Sequence, residues 1–210
     1  MRTAQAAWAE DLARPEIPMH ALFVHNTLKS ILRPKDCLVF DGGDFCHFGR
    51  SILPALQPKR WFYVSSLGML GSSLPTALAA KLANPESRVI AFVGDGAFGF
   101  NAMEFDTAVR HKLNIVAILG NDSAWGIDRQ IQLGLYGRPV ATELRQTRYD
   151  QMVQGLGGYG EFVERPEDLE PALRRAFASG QPALLNVVVQ RAISPRAEAA
   201  IARRKASGRK

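Results

Sequence analysis

The chain has 210 residues, 47% of them hydrophobic, which suits one domain with a sizeable core and excludes a disordered protein. No apolar run approaches the roughly 20 residues a membrane helix needs, and the start, MRTAQAAWAEDLARPE, lacks the apolar stretch of a signal peptide. The net charge of +6 sits at one end: Arg196 to Lys210 carries six basic residues and one acid, Glu198, so the remainder is close to neutral and nucleic-acid binding is not indicated.

Cys37 and Cys46 are the only cysteines, and they lie in neither a CxxC nor a metal-ligand spacing. A reducing, cytoplasmic setting is the expectation.

Residues 1–17 read as a lead-in or linker with a short helical patch around Trp8, which is expected to dock on the domain surface. Met19 to Leu32 is apolar at helical spacing and closed by Pro34. Cys37 to Phe40 is a short buried strand that ends in Asp41-Gly42-Gly43-Asp44, with a helix expected from Asp44 to just before Pro54. Trp61 to Ser65 is a candidate strand, and Gly68 to Leu82 is rich in small residues, as suits a helix packed close to another backbone. Val89 to Val93 stops at Gly94-Asp95-Gly96, a helix-like stretch follows, and Ile115 to Leu119 stops at Gly120-Asn121-Asp122. Gly126 to Gly134 reads as a helix or lid, Tyr136 to Arg148 as an exposed loop, and Tyr149 to Leu156 as a helix. After the turn at Gly157 to Gly160 come a short strand, Glu161 to Val163, a helix, Pro166 to Ser179, and a last buried strand, Leu184 to Val189.

Strands alternating with helices imply an α/β domain, a mostly parallel sheet with helices on both faces. In such a sheet the turns after Phe40, Val93 and Leu119 share one edge, and ligands bind at the carboxyl ends of strands. Gly96 lets a phosphate approach the backbone, the following helix start offers N–H groups to an anion, and Asp95 supplies hard oxygens of the kind Mg²⁺ takes. Twenty-four residues separate Gly96 from Asn121, enough for one helix and one strand, so the crossover brings Asp122 beside Asp95.

The pair GDG…ND resembles the thiamin diphosphate signature. GFNAMEFDTAV (Gly99 to Val109) and NDSAWG (Asn121 to Gly126) are similar to the diphosphate-binding domain of acetolactate synthase, benzaldehyde lyase and related 2-oxoacid decarboxylases, over about Pro18 to Pro195. The domain is accordingly expected at 18–195, with 196–210 a basic, flexible tail. The resemblance implies a thiamin diphosphate-dependent lyase or transferase using Mg²⁺. Asp95, Asp122 and the Ala124 carbonyl match the metal ligands. Gly94, Gly96, Ala97, Asn121 and Gly126 belong to the cofactor turns, with Gly96 and Ala97 as backbone donors. Asp41-Gly42-Gly43-Asp44-Phe45 matches a second diphosphate-contacting turn. Ser66 to Gly71 matches the segment beneath the cofactor, with the Gly68 carbonyl as acceptor for the aminopyrimidine and Leu70 as the apolar wedge that bends the cofactor. Trp125 and Ile127 match positions lining an apolar substrate pocket.

Two residues depart from the pattern. Asp122 stands where the family usually has Asn, which adds negative charge beside a diphosphate and should make binding steeply metal-dependent. Asp44 stands where several relatives have neutral or cationic donors, and its side chain is expected to cap its own helix.

Other polar residues read more plainly. Cys46 and His47, being adjacent on a helix, cannot form a nucleophile–base pair, although Cys46 is a candidate to line the pocket. His20 and His25 read as structural, His111 as solvated, and Glu104 and Asp106 as helix-start acids. Arg129 and Arg138, beyond Trp125, are candidates to meet a substrate carboxylate.

In this family the group that activates the cofactor is a glutamate in a separate pyrimidine-binding domain. No duplicate α/β unit precedes this one, and Met1 begins about where the linker would be. The expectation is therefore one half of a split enzyme acting on a small 2-oxo acid, in a heterodimer or α2β2 assembly, with the small-residue face at Gly68 to Ala80 as the contact surface. Alternatives are a 2-oxoacid oxidoreductase β-type subunit, a non-catalytic cofactor-binding or assembly subunit, and a nucleic-acid binder acting through the basic tail.

Overall fold

The computed structural model describes residues 8–63 and 68–207. Among them β1 (Cys37–Phe40), β2 (Trp61–Tyr63), β3 (Val89–Gly94), β4 (Ile115–Asn121), β5 (Tyr159–Val163) and β6 (Ala183–Val188) form one sheet. The order is β2-β1-β3-β4-β6-β5, and every neighbouring pair is parallel. The chain leaves β1 towards β2 and then returns past β1 to β3, so β1 and β3 flank a point where the winding reverses, the place where α/β sheets open a crevice.

The apolar runs are continuous because both faces are covered. Leu38, Phe40, Ile90, Phe92, Ile118 and Leu185 face a layer made by α2 (Ala21–Lys29), α3 (Gly43–Ile52) and α9 (Pro166–Ala178). The alternate residues Val39, Ala91, Val93, Ala117, Leu119 and Leu184 face α4 (Ser73–Ala83), α5 (Asp95–Asn101), α6 (Glu104–Arg110) and α8 (Tyr149–Gly155). Trp8, just before α1 (Ala9–Ala13), packs on the first core, as expected from the sequence.

Several boundaries move. The stretch after β3 is two helices rather than one, parted at Ala102 and Met103, and Asn101 at the end of the first donates its Nδ2 to the Gly71 carbonyl at 2.9 Å. The small residues Ala77 and Ala80 of α4 are buried in the chain's own core against the sheet. These two are therefore closed to a partner, whereas Gly68, Met69 and Ala79 of the same stretch are exposed. Of the candidate strand at Trp61 to Ser65, Trp61–Tyr63 is a strand, and Val64 and Ser65 lie outside the described residues.

The expected flexible tail is corrected over 196–206, while 208–210 lie outside the described residues. Pro195–Ala206 is a helix, α10. Ser194 caps it by accepting the Ala197 N–H, Pro195 sits at its first position, and Arg203, Arg204 and Lys205 lie in its last turn, where the helix dipole favours cations. Its Ile201 packs over Gly134 of α7 (Gly126–Tyr136), where a Cβ would stand 2.6 Å from the isoleucine Cδ1. The helix signals were all in the sequence; the charge count obscured them.

Candidate functional site

The carboxyl ends of β1, β3 and β4 meet at a cleft. Its walls hold Gly42, Gly43, Asp44 and Phe45 after β1, Leu70 before α4, Gly94, Asp95, Gly96 and Ala97 after β3, and Asp122, Ala124, Trp125, Gly126 and Ile127 after β4. Three turns separated widely in sequence converge as the strand pattern requires.

Asp95 directly follows β3 as the first residue of α5 and is buried. Its Oδ1 accepts the Gly96 N–H at 2.9 Å and its Oδ2 accepts the Ala124 N–H at 3.2 Å, so one carboxylate ties the two turns together. Burial lifts the Asp95 carboxyl to about 6. Burial and then the charge of Asp95 lift Asp122 to about 7. Two acids held this close to each other, each preferring a proton, make a site that a divalent cation would relieve. Among the described residues no backbone N–H pairs with the Ala124 carbonyl, which leaves that oxygen available as a ligand. No group of three His, Cys, Asp or Glu side chains lies together there or elsewhere among the described residues, so any cation held here draws on backbone and ligand oxygens as well.

The glycines are set by close approach. A Cβ on Gly96 would stand 2.7 Å from the Trp125 ring, and one on Gly126 would meet Asp122 Oδ2 at 2.5 Å. Gly43, the first residue of α3, has φ +87°, which favours glycine and exposes the backbone of that turn to the cleft. Leu70 leans on Gly42, where a Cβ would lie 2.5 Å from its Cδ2.

Four residues behave differently from expectation. Asp44 does not cap its own helix. Gly42 stands at that cap, and the Asp44 Oδ1 accepts the N–H of Ser194 at 3.0 Å instead. Burial pushes its carboxyl up, and its Oδ2 has no partner among the described residues. Asn121 does not face the cleft, because its Nδ2 donates to Asn186 Oδ1 at 3.0 Å and its Oδ1 accepts the Ser123 N–H. Gly68 is not in the cleft wall either, while Ser66 and Leu67 lie outside the described residues. Asp41 acts behind the wall: its carboxylate accepts the N–H groups of Gly42, Gly71 and Ser73 and so fixes the Leu70 turn against β1.

Cys46 is in the core rather than the pocket, donating to the Phe92 carbonyl at 3.2 Å, and burial raises its thiol well above the usual range. Arg129 is ion-paired with Glu143 at 2.8 Å, and Arg138 borders a separate groove with Gln132, Tyr136 and Val140, so neither lines the cleft. His20 caps α2, His25 is buried and His111 is exposed, as read from the sequence. Glu104 and Asp106 sit in the first turn of α6, away from the cleft. Sequence reasoning missed Asp128, Gly120, Val189, Gln190 and Ala192 in the wall. Only Gly120 and Asp128 carried a signal, through their neighbours in the second turn.

Comparison with known proteins gives a consistent result. The family model described as "Thiamine pyrophosphate enzyme, C-terminal TPP binding domain" matches residues 41–187. A probable acetolactate synthase of Mycobacterium bovis is 40% identical over 208 residues, covering 91% of this chain and 38% of that protein. The 2-hydroxyacyl-CoA lyase 2 of Bos taurus is 32% identical over 205 residues, covering 88% of this chain and 32% of that protein. The solved thiamine diphosphate-dependent 4-hydroxybenzoylformate decarboxylase of Rhodococcus jostii RHA1 superposes with a TM-score of 0.77 at 22% identity, over 83% of this chain and 33% of that one. The chain thus spans between about a third and two fifths of the length of these relatives.

Proposed function

This chain belongs to the thiamine pyrophosphate enzymes, as their C-terminal TPP-binding domain, and from that premise we propose that Asp95, Asp122 and the Ala124 carbonyl hold Mg²⁺ against the cofactor's diphosphate. The observation that carries this reading is the convergence of two proton-hungry carboxylates with an unpaired backbone carbonyl at one cleft. The residues present fit the group: the acids suit a hard cation, and the glycine-lined turns leave room for phosphate oxygens.

When bound, the cofactor supplies the electron sink for breaking a bond next to a carbonyl, as in loss of CO₂ from a 2-oxo acid. This chain's own groups bind and shape. Leu70, held against Gly42 and by the Asp41 clamp behind it, would be the apolar wedge beneath the cofactor. Trp125 and Ile127 make the wall apolar and exclude water, which favours departure of a charged carboxylate as neutral CO₂.

The reaction is a decarboxylation, carboligation or 2-hydroxyacyl lyase step of acetolactate synthase type, and it requires a pyrimidine-binding unit that supplies the activating glutamate, in a heteromeric assembly. Exposed Met69, Phe100 and Met103 support that requirement, since Phe100 touches Trp125 edge-on and so carries an apolar surface outward from the cleft. The test is cofactor binding by titration with Mg²⁺ present, followed by assay of 2-oxo acid turnover with and without the partner unit. Asp95→Ala should abolish Mg²⁺-dependent binding; retention of it would end this reading.

A further inference from the structure

The loop that carries Asp122 and Ala124 is held from behind. Arg191, three residues past β6, donates its Nε to the Asp122 carbonyl and its Nη2 to the Ser123 carbonyl, both at 2.9 Å. The same guanidinium pairs with Glu143 at 2.7 Å, and Glu143 pairs with Arg129 of α7 at 2.8 Å. The 142–144 segment closes the other side: Trp125 N–H donates to the Thr142 carbonyl at 2.8 Å and Leu144 N–H to the Ser123 carbonyl at 2.9 Å. Ser123, between these contacts, has φ +55°, a left-handed conformation that a serine does not hold without support.

Consecutive carbonyls in a loop compete to face the same cation. Here the Asp122 and Ser123 carbonyls are taken up by Arg191 and Leu144, and the carbonyl left over is that of Ala124, whose own N–H is tied to Asp95. We infer that Arg191, braced by Glu143, is the positioning residue of the cation site: it occupies two carbonyls, holds Ser123 left-handed, and thereby turns the third carbonyl and the Asp122 carboxylate into the cleft. The inference rests on the metal reading proposed above.

A guanidinium is needed because it reaches two adjacent oxygens and a carboxylate from one plane, which an ammonium does not. The effect should be on geometry more than on charge. Mg²⁺ demands near-ideal octahedral ligands, whereas Ca²⁺ tolerates irregular ones. A loosened loop should therefore lose Mg²⁺ affinity and keep more of its Ca²⁺ affinity. Groups behind first ligands typically tune metal affinity by about 10- to 100-fold.

The experiment measures Mg²⁺, Ca²⁺ and Mn²⁺ binding to the full chain with thiamin diphosphate present, for wild type, Arg191→Gln, Arg191→Lys, Glu143→Gln and Asp95→Ala, with thermal unfolding run in parallel. The expected result is a fall of about tenfold or more in Mg²⁺ affinity for Arg191→Gln, with a smaller fall for Ca²⁺, partial recovery in Arg191→Lys and an intermediate value for Glu143→Gln. Equal losses for Mg²⁺ and Ca²⁺ that track a lowered unfolding temperature would reduce Arg191 to a stability role and overturn the inference. Unchanged Mg²⁺ affinity in Arg191→Gln, with Asp95→Ala inactive in binding, would overturn it alone. Cation binding that survives in Asp95→Ala, or is missing in wild type, would remove the metal reading and this inference with it.

Discussion

Asp44 accepts the Ser194 N–H at 3.0 Å and so joins the first turn of α3, in the cleft wall, to the cap of the C-terminal helix α10. One carboxylate oxygen does the joining and the other is buried without a partner. The two halves of this side chain should therefore separate by mutation. Asp44→Asn keeps an acceptor for Ser194 and removes the buried charge. Because burial raises the native carboxyl above its unfolded value, the native state holds more protons and loses stability as pH rises. Asp44→Asn should thus be more stable than wild type at pH 8, with the difference vanishing as pH falls below the unfolded carboxyl's range. Asp44→Ala should lose the bond and about 1–2 kcal/mol, and proteolysis should cut the 195–207 segment sooner. Urea unfolding and limited proteolysis check both.

The Asp95 and Asp122 pair predicts a second pH dependence. The folded carboxyls are raised to about 6 and about 7, whereas unfolded aspartates titrate near 3.8. Between these values the native state binds more protons, so the metal-free chain should lose stability as pH rises from about 4 to 7. Saturating Mg²⁺ should reverse the loss by pairing with the dianion. Asp122→Asn should remove most of the slope, stabilise the metal-free chain at pH 8 by about 2 kcal/mol, and retain cofactor binding with weaker dependence on Mg²⁺. Binding abolished in Asp122→Asn would show that Asp122 is indispensable as a charged ligand.

The legibility of this site in the sequence divides along a physical line. Local signals worked where backbone geometry decides. The apolar runs gave β1, β3, β4 and β6, and the turns after β1, β3 and β4 gave three sides of the cleft. The paired turns also gave the family. Side-chain direction was less legible. Asn121 ends a strand beside Asp122, yet it turns the opposite way, towards Asn186 and Thr147, because strand side chains alternate and the polar partners lie on that side. Asp44 looked like a cap, but its best donor was Ser194, 150 residues away. Arg191 showed no signal, since its partners are backbone carbonyls that a sequence does not advertise. Wall residues such as Val189 and Gln190 depend on the path after β6, which only tertiary packing sets.

Phe45 supplies a packing test that leaves every charged group in place. A Cβ on Gly120 would stand 2.3 Å from the Phe45 ring, closer than any real contact allows. Gly120→Ala should therefore push that ring towards the cleft and destabilise the chain by about 1–3 kcal/mol through overpacking. Cofactor affinity should fall with it. Combining Gly120→Ala with Phe45→Leu should recover part of both, because the smaller side chain frees the space. Chemical denaturation and cofactor titration of the two single variants and the double variant measure the coupling. Simple addition of the two losses would refute the contact.

The floor beneath that ring rests on His25. It is fully buried, its Nε2 pairs with the Phe45 carbonyl at 2.8 Å, and its ring packs against Phe45 and Phe92. The carbonyl partner fixes the tautomer with the proton on Nε2, leaving Nδ1 without a partner among the described residues. Burial lowers the imidazole from 6.5 to about 4. The unfolded chain therefore binds the extra proton between pH 6.5 and 4, and the native chain does not. Stability from this group is complete above pH 6.5 and is lost as pH falls towards 4, up to about 3 kcal/mol. The slope is opposite in sign to that of the Asp95–Asp122 pair over the same range, so the two are separated by difference. Wild type minus His25→Gln, each measured by urea unfolding at pH 7.5, 6 and 5 without divalent cations, should isolate the histidine contribution. The difference should shrink steadily as pH falls. A difference independent of pH would mean that His25 titrates alike in the folded and unfolded chains, and that it supports the floor of the cleft by packing alone.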